Sequence, residues 1–218
     1  MNGEEVNKLK ADIAEAGRRM LDKGLVTGAS GNISVRVPGE DRIVITPSRV
    51  GYDRIGAGDI VALDFEGNVI EGERKPSVEA GMHIGVYKAR PDVGAVIHTH
   101  SVYASAAASA RRAIPPFLDE MVLLLGGEIE VAEYGMPGSE ELAHNAVAAL
   151  GRKNAVLLAN HGPLCCGKDL ESAFGNAELV ERVAKIFVLS SLLGNPKNLP
   201  PEAVELEQNI FEIRDSPG

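Results

Sequence analysis

The sequence predicts an α/β fold, in which one domain spanning residues 1–218 has a central sheet flanked by helices. Strand-like apolar segments dominate the middle of the chain, and segments with helical periodicity precede, separate and follow them. No internal repeat or linker divides the 218 residues, a length that suits one domain. Because 44% of the residues are hydrophobic and only 4% are aromatic, we expect a core of aliphatic side chains.

The first half of the chain is predicted to begin with a helix and to continue through three strands. Apolar residues at helical spacing predict a helix from Glu4 to Lys23, and Gly24 is a typical residue after a helix end. Apolar segments predict strands at residues 33–37, 42–46 and 59–65, with a hairpin turn at Glu66-Gly67-Asn68. Ser77 is predicted to cap a helix over residues 78–88.

The second half is predicted to alternate buried strands with helices. The strands are at residues 93–97 and 155–159, and the helices are at residues 101–108, 141–150 (capped by Ser139) and 170–193. Gly126-Gly127 predicts a turn between apolar segments 121–125 and 129–132. The tail from Pro200 is expected to be short and mostly polar.

Composition argues against several classes of protein. A net charge of −9 and an isoelectric point near 5.1 disfavour a nucleic-acid-binding protein, which would present a basic face. No apolar run reaches the roughly 18 residues of a membrane span, and the polar, acidic start of the chain lacks the features of a signal peptide. We therefore expect a cytoplasmic protein, in which the adjacent Cys165 and Cys166 are free buried thiols.

Three histidines near the ends of apolar segments form the clearest candidate site. His98 and His100 end the first buried strand of the second half, and strand alternation aims both imidazoles to the same side. His161 follows the strand at residues 155–159, and Glu79 precedes His98 by nineteen residues. Neutral imidazoles bind Zn²⁺ well, and three of them leave one coordination position open for substrate or water. These four residues are the predicted metal ligands.

Ordinary explanations exist for the same residues. His98 and His100 can be polar residues at a strand end, and an acid such as Glu79 is common in the first turn of a helix because it interacts favourably with the helix dipole. The same position also allows Glu79 to act as a metal ligand, a base or a proton carrier. The other two histidines, His83 and His144, lie within predicted helices, where packing or surface exposure explains them at least as well.

Three further segments have the composition of an anion pocket. Small residues in Gly28-Ala29-Ser30-Gly31-Asn32 allow backbone N–H groups to approach a ligand closely. Thr46-Pro47-Ser48 supplies hydroxyl groups at a strand end, and Ser77 is at a helix N-terminus, where anions are favoured. Turns and helix caps need the same residue types, so each segment alone is a weak signal. Together, near a candidate metal site, they predict a phosphate or carboxylate pocket.

Five short motifs occur in a recognisable order along the chain. They are Gly31-Asn32-Ile33-Ser34, Thr46-Pro47-Ser48, Lys75-Pro76-Ser77-x-Glu79, His98-x-His100-Ser101 and Asn160-His161-Gly162. Over about residues 5–195 the chain thereby resembles the class II aldolase/adducin family, in particular its L-fuculose-1-phosphate aldolase branch. The resemblance implies an α/β/α domain with a largely antiparallel central sheet. It also implies a homotetramer with active sites between neighbouring subunits.

The resemblance implies roles for individual residues. The zinc ligands of the family, which hold one Zn²⁺ per subunit, correspond to His98, His100 and His161. The catalytic acid corresponds to Glu79, which also approaches the metal when substrate is absent. The phosphate pocket corresponds to Gly31, Asn32, Ser48 and Ser77. The implied reaction cleaves a ketose 1-phosphate, such as L-fuculose 1-phosphate, into dihydroxyacetone phosphate and an aldehyde through an enediolate.

The chain departs from the family pattern at several positions. Val78 stands where a second serine often precedes the acid, and Arg49 stands where glycine often follows the Thr-Pro-Ser element. Arg49 preserves anion binding but leaves open whether the anion is a phosphate or a carboxylate. The tyrosine that acts from a neighbouring subunit aligns near Asp119-Glu120, so Glu120 is a candidate catalytic acid. Phe211 lies near the position of a second active-site tyrosine.

Other functions remain open on the same scaffold. A metal-dependent decarboxylase of a 3-oxo acid forms a similar enediolate, and Arg49 can hold its carboxylate. A pentulose-phosphate 4-epimerase cleaves and rejoins the same bond, but that branch usually has aspartate in place of Glu79. An adducin-like binding module does not need three histidines and an acid, so their presence argues against it. The metal is also open, because Mn²⁺ and Co²⁺ accept the same ligands as Zn²⁺.

Overall fold

The computed structural model describes residues 3–194 and 196–215, which form a mixed sheet and the helices that cover it. The strands are β1 (Asn32–Arg36), β2 (Arg42–Ile45), β3 (Val61–Asp64), β4 (Val69–Glu71), β5 (Ala95–His98), β6 (Val131–Ala132), β7 (Ala155–Leu158) and β8 (Pro163–Gly167). The helices are α1 (Gly3–Asp22), α2 (Ala80–Ala89), α3 (Val102–Ser109), α4 (Asp119–Leu125), α5 (Glu140–Leu150), α6 (Leu170–Leu192) and α7 (Pro201–Asp215).

The eight described strands lie side by side in the order β4-β3-β2-β1-β5-β8-β7-β6. All neighbouring pairs are antiparallel except β6 and β7, which are parallel. The predicted α/β fold with a largely antiparallel sheet is therefore confirmed. At the centre of the sheet, β5 lies between β1 and β8, so the strand that ends at His98 has a neighbour on each side.

Side-chain alternation divides the aliphatic core into two clusters on opposite faces of the sheet. On one face, Ile33 and Ile97 pack with residues of α1, α3 and α6. On the other face, Val96 and Leu164 pack with residues of α2 and α5. Covering both faces removes their apolar surface from water, which is the main favourable term in folding. His98 is two residues from Val96 and therefore lies on the α2 face.

Several boundaries differ from those that the sequence predicts. The third strand begins at Val61 instead of Asp59, because residues 57–59 form a 3-10 turn. Helix α2 begins at Ala80, with Glu79 as its N-cap, because Ser77 starts a tight turn in which its carbonyl accepts a hydrogen bond from the Ala80 N–H. Strand β8 was not predicted, since its first and last residues are proline and glycine, which weaken a strand signal but are tolerated at strand ends.

The C-terminal tail and residues 119–125 are helical. Residues 119–125 form α4, which ends at Gly126 with a left-handed φ of 91°. The tail, for which the sequence predicts only a short and mostly polar segment, forms α7, in which Phe211 is buried against Gly126. Gln208 Nε2 also donates to the Gly126 carbonyl at 3.2 Å. Tertiary packing thus supplies the stability that the mostly polar sequence does not indicate.

Other local predictions are confirmed. Ser139 caps α5 and accepts a hydrogen bond from the Leu142 N–H at 3.1 Å. Gly24 follows α1 with a φ of 70°. Cys165 and Cys166 are free and buried. Within residues 3–194 and 196–215, no helix has both the length and the apolar character that crossing a bilayer requires.

Candidate metal centre and anion pocket

The candidate site lies where the ends of adjacent central strands meet. β5 ends at His98, which is opposite Asn32 of β1 in the sheet register and borders β8 on its other side. His161 lies in the short connection between β7 and β8. Gly162 allows this connection to approach the end of β5, because a Cβ atom at this residue would lie 2.2 Å from the Thr99 carbonyl oxygen.

The three predicted histidine ligands converge on one point. Their ring centroids are 4.6 to 4.9 Å apart, and one ligand atom from each lies within 4.8 Å of the others. The Nε2 atoms of His98 and His100 are 3.0 Å apart. His98 is fully buried, His161 is half-buried and His100 is exposed. The cluster is therefore accessible to solvent on one side.

The carboxylate of Glu79 lies beside the three rings. Its Oε2 atom is 3.6 Å from His98 Nε2, and its Oε1 atom is 3.5 Å from His161 Nε2. Glu79 is buried at the N-terminus of α2, which packs over this face of the sheet. The residues that the sequence predicts as metal ligands therefore lie together in the folded chain.

The surroundings favour the neutral imidazoles that metal coordination needs. Burial, followed by the neighbouring His161 and His100, holds the pKa of His98 well below its usual value. Burial and the neighbouring His161 also lower the pKa of His100. Nδ1 of His98 donates to the Pro163 carbonyl oxygen at 2.9 Å, so its Nε2 atom offers a lone pair to the cluster.

The donor set fits a divalent cation. Among the described residues, two buried polar atoms in the cluster, Glu79 Oε1 and His161 Nδ1, have no hydrogen-bond partner. A buried carboxylate oxygen without a partner is costly unless a cation or a water molecule satisfies it. Three imidazole nitrogens beside one acid match a Zn²⁺ site that keeps a position open for substrate.

A buried chain of hydrogen bonds extends from Glu79 away from the histidine cluster. Asn32 Nδ2 donates to Glu79 Oε2 at 2.7 Å, and Asn32 Oδ1 is 2.5 Å from His83 Nε2. His83 Nδ1 is 2.7 Å from Ser34 Oγ, which is 2.8 Å from the hydroxyl oxygen of Tyr87. The side chains of all five residues are buried.

The spacing of residues in the sequence indicates this chain of hydrogen bonds, although the five motifs do not. Glu79, His83 and Tyr87 are four residues apart, so they share one face of the α2 segment. Asn32 and Ser34 are two residues apart and share the face of β1 that α2 covers. Asn32 lines the pocket beside the histidine cluster, but its side-chain amide is bonded to Glu79 and His83.

A pocket extends from the histidine cluster to the predicted anion-binding residues. It is lined by Glu79, His100 and His161 and by Gly31, Asn32, Ser48, Arg49 and Ser77. Two backbone hydrogen bonds join the loops that carry the serines: the Ser48 N–H donates to the Lys75 carbonyl at 2.9 Å, and the Ser77 N–H donates to the Thr46 carbonyl at 3.1 Å. Segments distant in sequence thus form one wall.

Gly31 is the position in this wall that requires glycine. Its φ is 74°, and a Cβ atom there would lie 2.5 Å from the His98 carbonyl oxygen and 2.9 Å from Val26 Cγ1. The Tyr52 hydroxyl donates to the Gly31 carbonyl at 3.0 Å and fixes the turn. Any side chain at residue 31 would therefore push the turn that contains it away from the end of β5.

Arg49 occupies a backbone conformation that favours glycine. Its φ is 63°, in the left-handed region. This conformation costs a non-glycine residue about 1–2 kcal/mol, and such outliers concentrate at functional sites. The Arg49 residue is exposed and lines the pocket. The chain therefore places a cation in the pocket in spite of an unfavourable local conformation.

Glu120 lies elsewhere in the same subunit. It is on α4, its carboxylate pairs with Arg182 at 2.8 Å, and it is not among the residues that line the pocket. Its catalytic role therefore depends on a neighbouring subunit and stays a prediction. Val78, by contrast, lines the pocket and is 68% exposed.

The buried His83 predicts a dependence of stability on pH. Burial, with a smaller contribution from His98, lowers the pKa of His83 to about 3, whereas an unfolded histidine titrates near 6.5. Because the unfolded state binds the proton more tightly, the free energy of unfolding decreases as the pH falls from about 6.5 toward 3. We expect the His83→Gln variant to reduce this slope by up to about 1.4 kcal/mol per pH unit.

Urea denaturation of the chelator-treated protein, at pH values between about 7 and 5, measures this difference. The exposed His144 provides the matched control, since His144→Gln should leave the slope nearly unchanged. Equal slopes for the wild type and His83→Gln would contradict a neutral buried His83.

The fold and the site together define a class II aldolase-type domain. The family model described as "Class II Aldolase and Adducin N-terminal domain" matches residues 11–188, and the chain belongs to this family. The family predicted from the five motifs is therefore confirmed.

Individual relatives cover nearly the whole chain. The chain is 36% identical over 207 residues to the 5-deoxy-D-ribulose 1-phosphate aldolase of Bacillus thuringiensis serovar kurstaki. The alignment covers 95% of this chain and 97% of the relative. It is 35% identical over 180 residues to the 3-oxo-tetronate 4-phosphate decarboxylase of Haemophilus influenzae. This alignment covers 80% of this chain and 84% of the relative. A solved structure of an L-fuculose 1-phosphate aldolase has a TM-score of 0.90 and 40% identity, covering 94% of this chain and 96% of that chain.

Proposed function

We propose that the protein is a zinc-dependent aldolase that cleaves a ketose 1-phosphate into dihydroxyacetone phosphate and an aldehyde. The observation that carries this proposal is the convergence of three histidines and Glu79 at one end of a pocket whose other lining residues suit an anion. A reaction at carbon atoms next to a phosphate ester needs both parts, one to bind the phosphate and one to act on the carbonyl end. The names of aldolase relatives support the same class of reaction.

His98, His100 and His161 would hold one Zn²⁺ per subunit. A divalent cation at this position would supply a Lewis acid that stabilises negative charge on the oxygen atoms of the substrate. The protein fixes this site through the hydrogen bond from His98 Nδ1 to Pro163 and through burial that favours neutral imidazoles. Three nitrogen ligands favour Zn²⁺ over cations that prefer oxygen ligands.

Glu79 would move the proton at C3 of the substrate. In cleavage, the C4 hydroxyl gives its proton to a base at the aldehyde end, the bond between C3 and C4 breaks, and C3 receives a proton that Glu79 delivers. In synthesis, Glu79 removes the C3 proton and the group at the aldehyde end returns a proton to the new C4 oxygen. The carboxylate is suited to this role because its Oε1 atom has no hydrogen-bond partner among the described residues and lies at the histidine cluster. Its other oxygen accepts a hydrogen bond from Asn32, which restrains the group.

The phosphate would lie against Gly31, Ser48, Arg49 and Ser77. The serine side chains offer hydroxyl donors, and the glycine allows backbone N–H groups to approach the phosphate oxygens. Arg49 adds a guanidinium group, whose paired N–H donors match the geometry of phosphate oxygens. Asn32 contributes to the same wall, although its amide is engaged with Glu79 and His83.

The second candidate function is metal-dependent decarboxylation of a 3-oxo acid. Arg49 favours it, because a guanidinium group in the pocket can bind a substrate carboxylate as well as a phosphate. The resemblance to the Haemophilus influenzae 3-oxo-tetronate 4-phosphate decarboxylase points to the same chemistry. Loss of CO₂ and cleavage of the bond between C3 and C4 both leave negative charge next to a carbonyl group. One site can therefore serve either reaction.

A homotetramer would complete the site. Val78 is 68% exposed and Met136 is 67% exposed. Val78 lines the pocket, as does Pro137, which follows Met136 in the sequence. We infer that a neighbouring subunit covers this apolar rim and supplies Glu120 as the acid at the aldehyde end. Sedimentation of the active protein tests this arrangement, and a fully active monomer would contradict it.

We further propose that the protein is located in the cytoplasm.

Identification of products from a substrate screen tests the proposed reaction. The zinc-loaded protein would be incubated with ketose 1-phosphates, including L-fuculose 1-phosphate and 5-deoxy-D-ribulose 1-phosphate, and with phosphorylated 3-oxo acids. Release of dihydroxyacetone phosphate supports the aldolase, and release of CO₂ supports the decarboxylase instead. The same protein treated with a chelator is the control. No turnover on either class of substrate would overturn the proposal.

Arg49 provides a test of anion binding that separates binding from folding. In Arg49→Gly, the left-handed backbone loses its steric strain, so we expect the free energy of unfolding to stay equal or to rise by up to about 1 kcal/mol. Loss of a charge-assisted hydrogen bond should raise KM about 10- to 100-fold, with a smaller effect on kcat. Steady-state kinetics and urea denaturation measure the two effects.

Arg111→Gly is the matched control for Arg49→Gly. Arg111 is also an arginine with a left-handed φ, of 50°, and it is not among the residues lining the pocket. We expect the control to keep the wild-type KM. An unchanged KM in Arg49→Gly would exclude Arg49 from substrate binding.

A further inference from the structure

His83 is a fully buried histidine that the proposed reaction does not use directly. It lies on α2, one helical turn after Glu79, and its ring is bonded on both sides. Nε2 is 2.5 Å from Asn32 Oδ1, and Nδ1 is 2.7 Å from Ser34 Oγ. Because the ring is fully buried and both of its nitrogens face neutral partners, it is uncharged and carries one proton.

The position of that proton follows from the partners. The Asn32 Oδ1 atom can only accept, so His83 Nε2 must carry the proton and donate it. Nδ1 then has a lone pair and accepts from the Ser34 hydroxyl. The Tyr87 hydroxyl donates toward Ser34, whose carbonyl oxygen is 3.0 Å away. The hydrogen bonds from the Ser34 hydroxyl through His83 and Asn32 therefore all point toward Glu79.

The reversed arrangement fails at Glu79. If His83 carried its proton on Nδ1, Nε2 would need a donor, and the Asn32 amide would turn its NH₂ group toward His83. Asn32 Oδ1 would then face Glu79 Oε2 at about the 2.7 Å that now separates Nδ2 from this oxygen. Two oxygen acceptors at that distance repel each other when the carboxyl group is ionised. The tautomer of His83 and the direction of the Asn32 amide are therefore coupled, and only the Nε2-protonated form lets the amide donate to Glu79.

We propose that His83 is a positioning residue that fixes the Asn32 amide so that its NH₂ group holds the Glu79 carboxylate against the histidine cluster. This inference rests on the proposed role of Glu79. It adds that His83, with Ser34 and Tyr87 behind it, supports that role from outside the pocket. The free oxygen of Glu79 stays directed at the histidines because its other oxygen is held by Asn32. Partners of this kind typically contribute about 10- to 100-fold to activity when they orient a group at a metal site.

Kinetics of two His83 variants test the proposal. His83→Met has a similar volume but cannot donate to Asn32, so we expect kcat to fall about 10- to 100-fold, with KM within about threefold of the wild type. His83→Gln keeps an N–H group near the position of Nε2 and should recover most of kcat. Ser34→Ala removes a bond one step further from Glu79, so its loss should be smaller than that of His83→Met. His144→Met, at an exposed histidine, is the surface control and should match the wild type.

The NMR spectrum of histidine-labelled protein supplies a measurement that does not depend on activity. Protonated and unprotonated ring nitrogens have distinct ¹⁵N shifts, so the spectrum reports the tautomer of His83 directly. We expect the proton on Nε2, and a proton on Nδ1 would overturn the proposal. Should His83→Met fail to fold, the tautomer measured on the wild type still decides the proposal. A wild-type kcat in folded His83→Met would also overturn it.

The two proposals fail in different ways. Absence of turnover by the wild type on all substrates would remove the proposed function, while the His83 tautomer would still test the hydrogen-bond chain. Turnover by the wild type, together with equal losses in folded His83→Met and His83→Gln, would leave the proposed function intact. That second result would show that His83 acts only through packing.

Discussion

Replacing His100 with alanine is expected to remove bound metal and activity together. His100 is the exposed member of the histidine cluster, and its Nε2 atom lies 3.0 Å from that of His98. Two remaining imidazoles cannot form the three-ligand site, so metal affinity should fall by more than the roughly 10- to 100-fold typical of losing an outer partner. Activity should fall at least about 10³-fold, because a Lewis acid contributes several kcal/mol.

Metal analysis of the dialysed variant, alongside its activity, measures both effects. His144→Ala is the matched control, since His144 is an exposed histidine on a helix away from the cluster, and it should keep metal and activity. The exposure of His100 also means that its truncation should leave folding intact, which circular dichroism can verify. Retention of metal with full activity in His100→Ala would remove the metal centre from the proposed function.

The Glu79→Gln variant is expected to keep the metal but to turn over far more slowly. Glutamine has nearly the same shape, and its Oε1 atom can still accept the hydrogen bond from Asn32. The three histidines remain, so metal content should stay close to that of the wild type. An amide cannot carry the proton at C3, so kcat should fall about 10²- to 10⁴-fold, the range for general acid–base catalysis.

The comparison with an exposed glutamate isolates the effect of position. Glu128 is exposed and is not among the residues that line the pocket, so Glu128→Gln should have the wild-type kcat. Metal analysis and steady-state kinetics of both variants are the required measurements. Full activity in Glu79→Gln would exclude its role as the proton carrier, whereas loss of metal would show that Glu79 is needed mainly as a ligand.

Much of the site could be predicted because the chemistry is concentrated at the ends of apolar segments. His98 and His100 follow one buried segment and His161 follows another, and the residue type itself restricts the possible function. The chain of hydrogen bonds behind Glu79 could not be predicted in the same way. It joins β1 to α2, and the pairing of Asn32 with His83 depends on which face of the sheet α2 covers.

Local signals also failed where packing decides the structure. The mostly polar tail contains one buried aromatic residue, Phe211, and α7 forms because that residue packs against Gly126. For Glu120, the resemblance to the family predicts a catalytic acid. Within one subunit, however, its carboxylate pairs with Arg182 at the surface.

The sequence by itself determined the family, the α/β class and the residue types that can bind a metal and an anion. These properties follow from side-chain chemistry and from short-range periodicity, which are local. Tertiary structure decided the convergence of the three imidazoles, the direction in which Asn32 faces and the placement of Arg49 in the pocket. These depend on the register of β1, β5 and β8 and on the packing of α2, because a site assembled from distant segments exists only after those segments pack together.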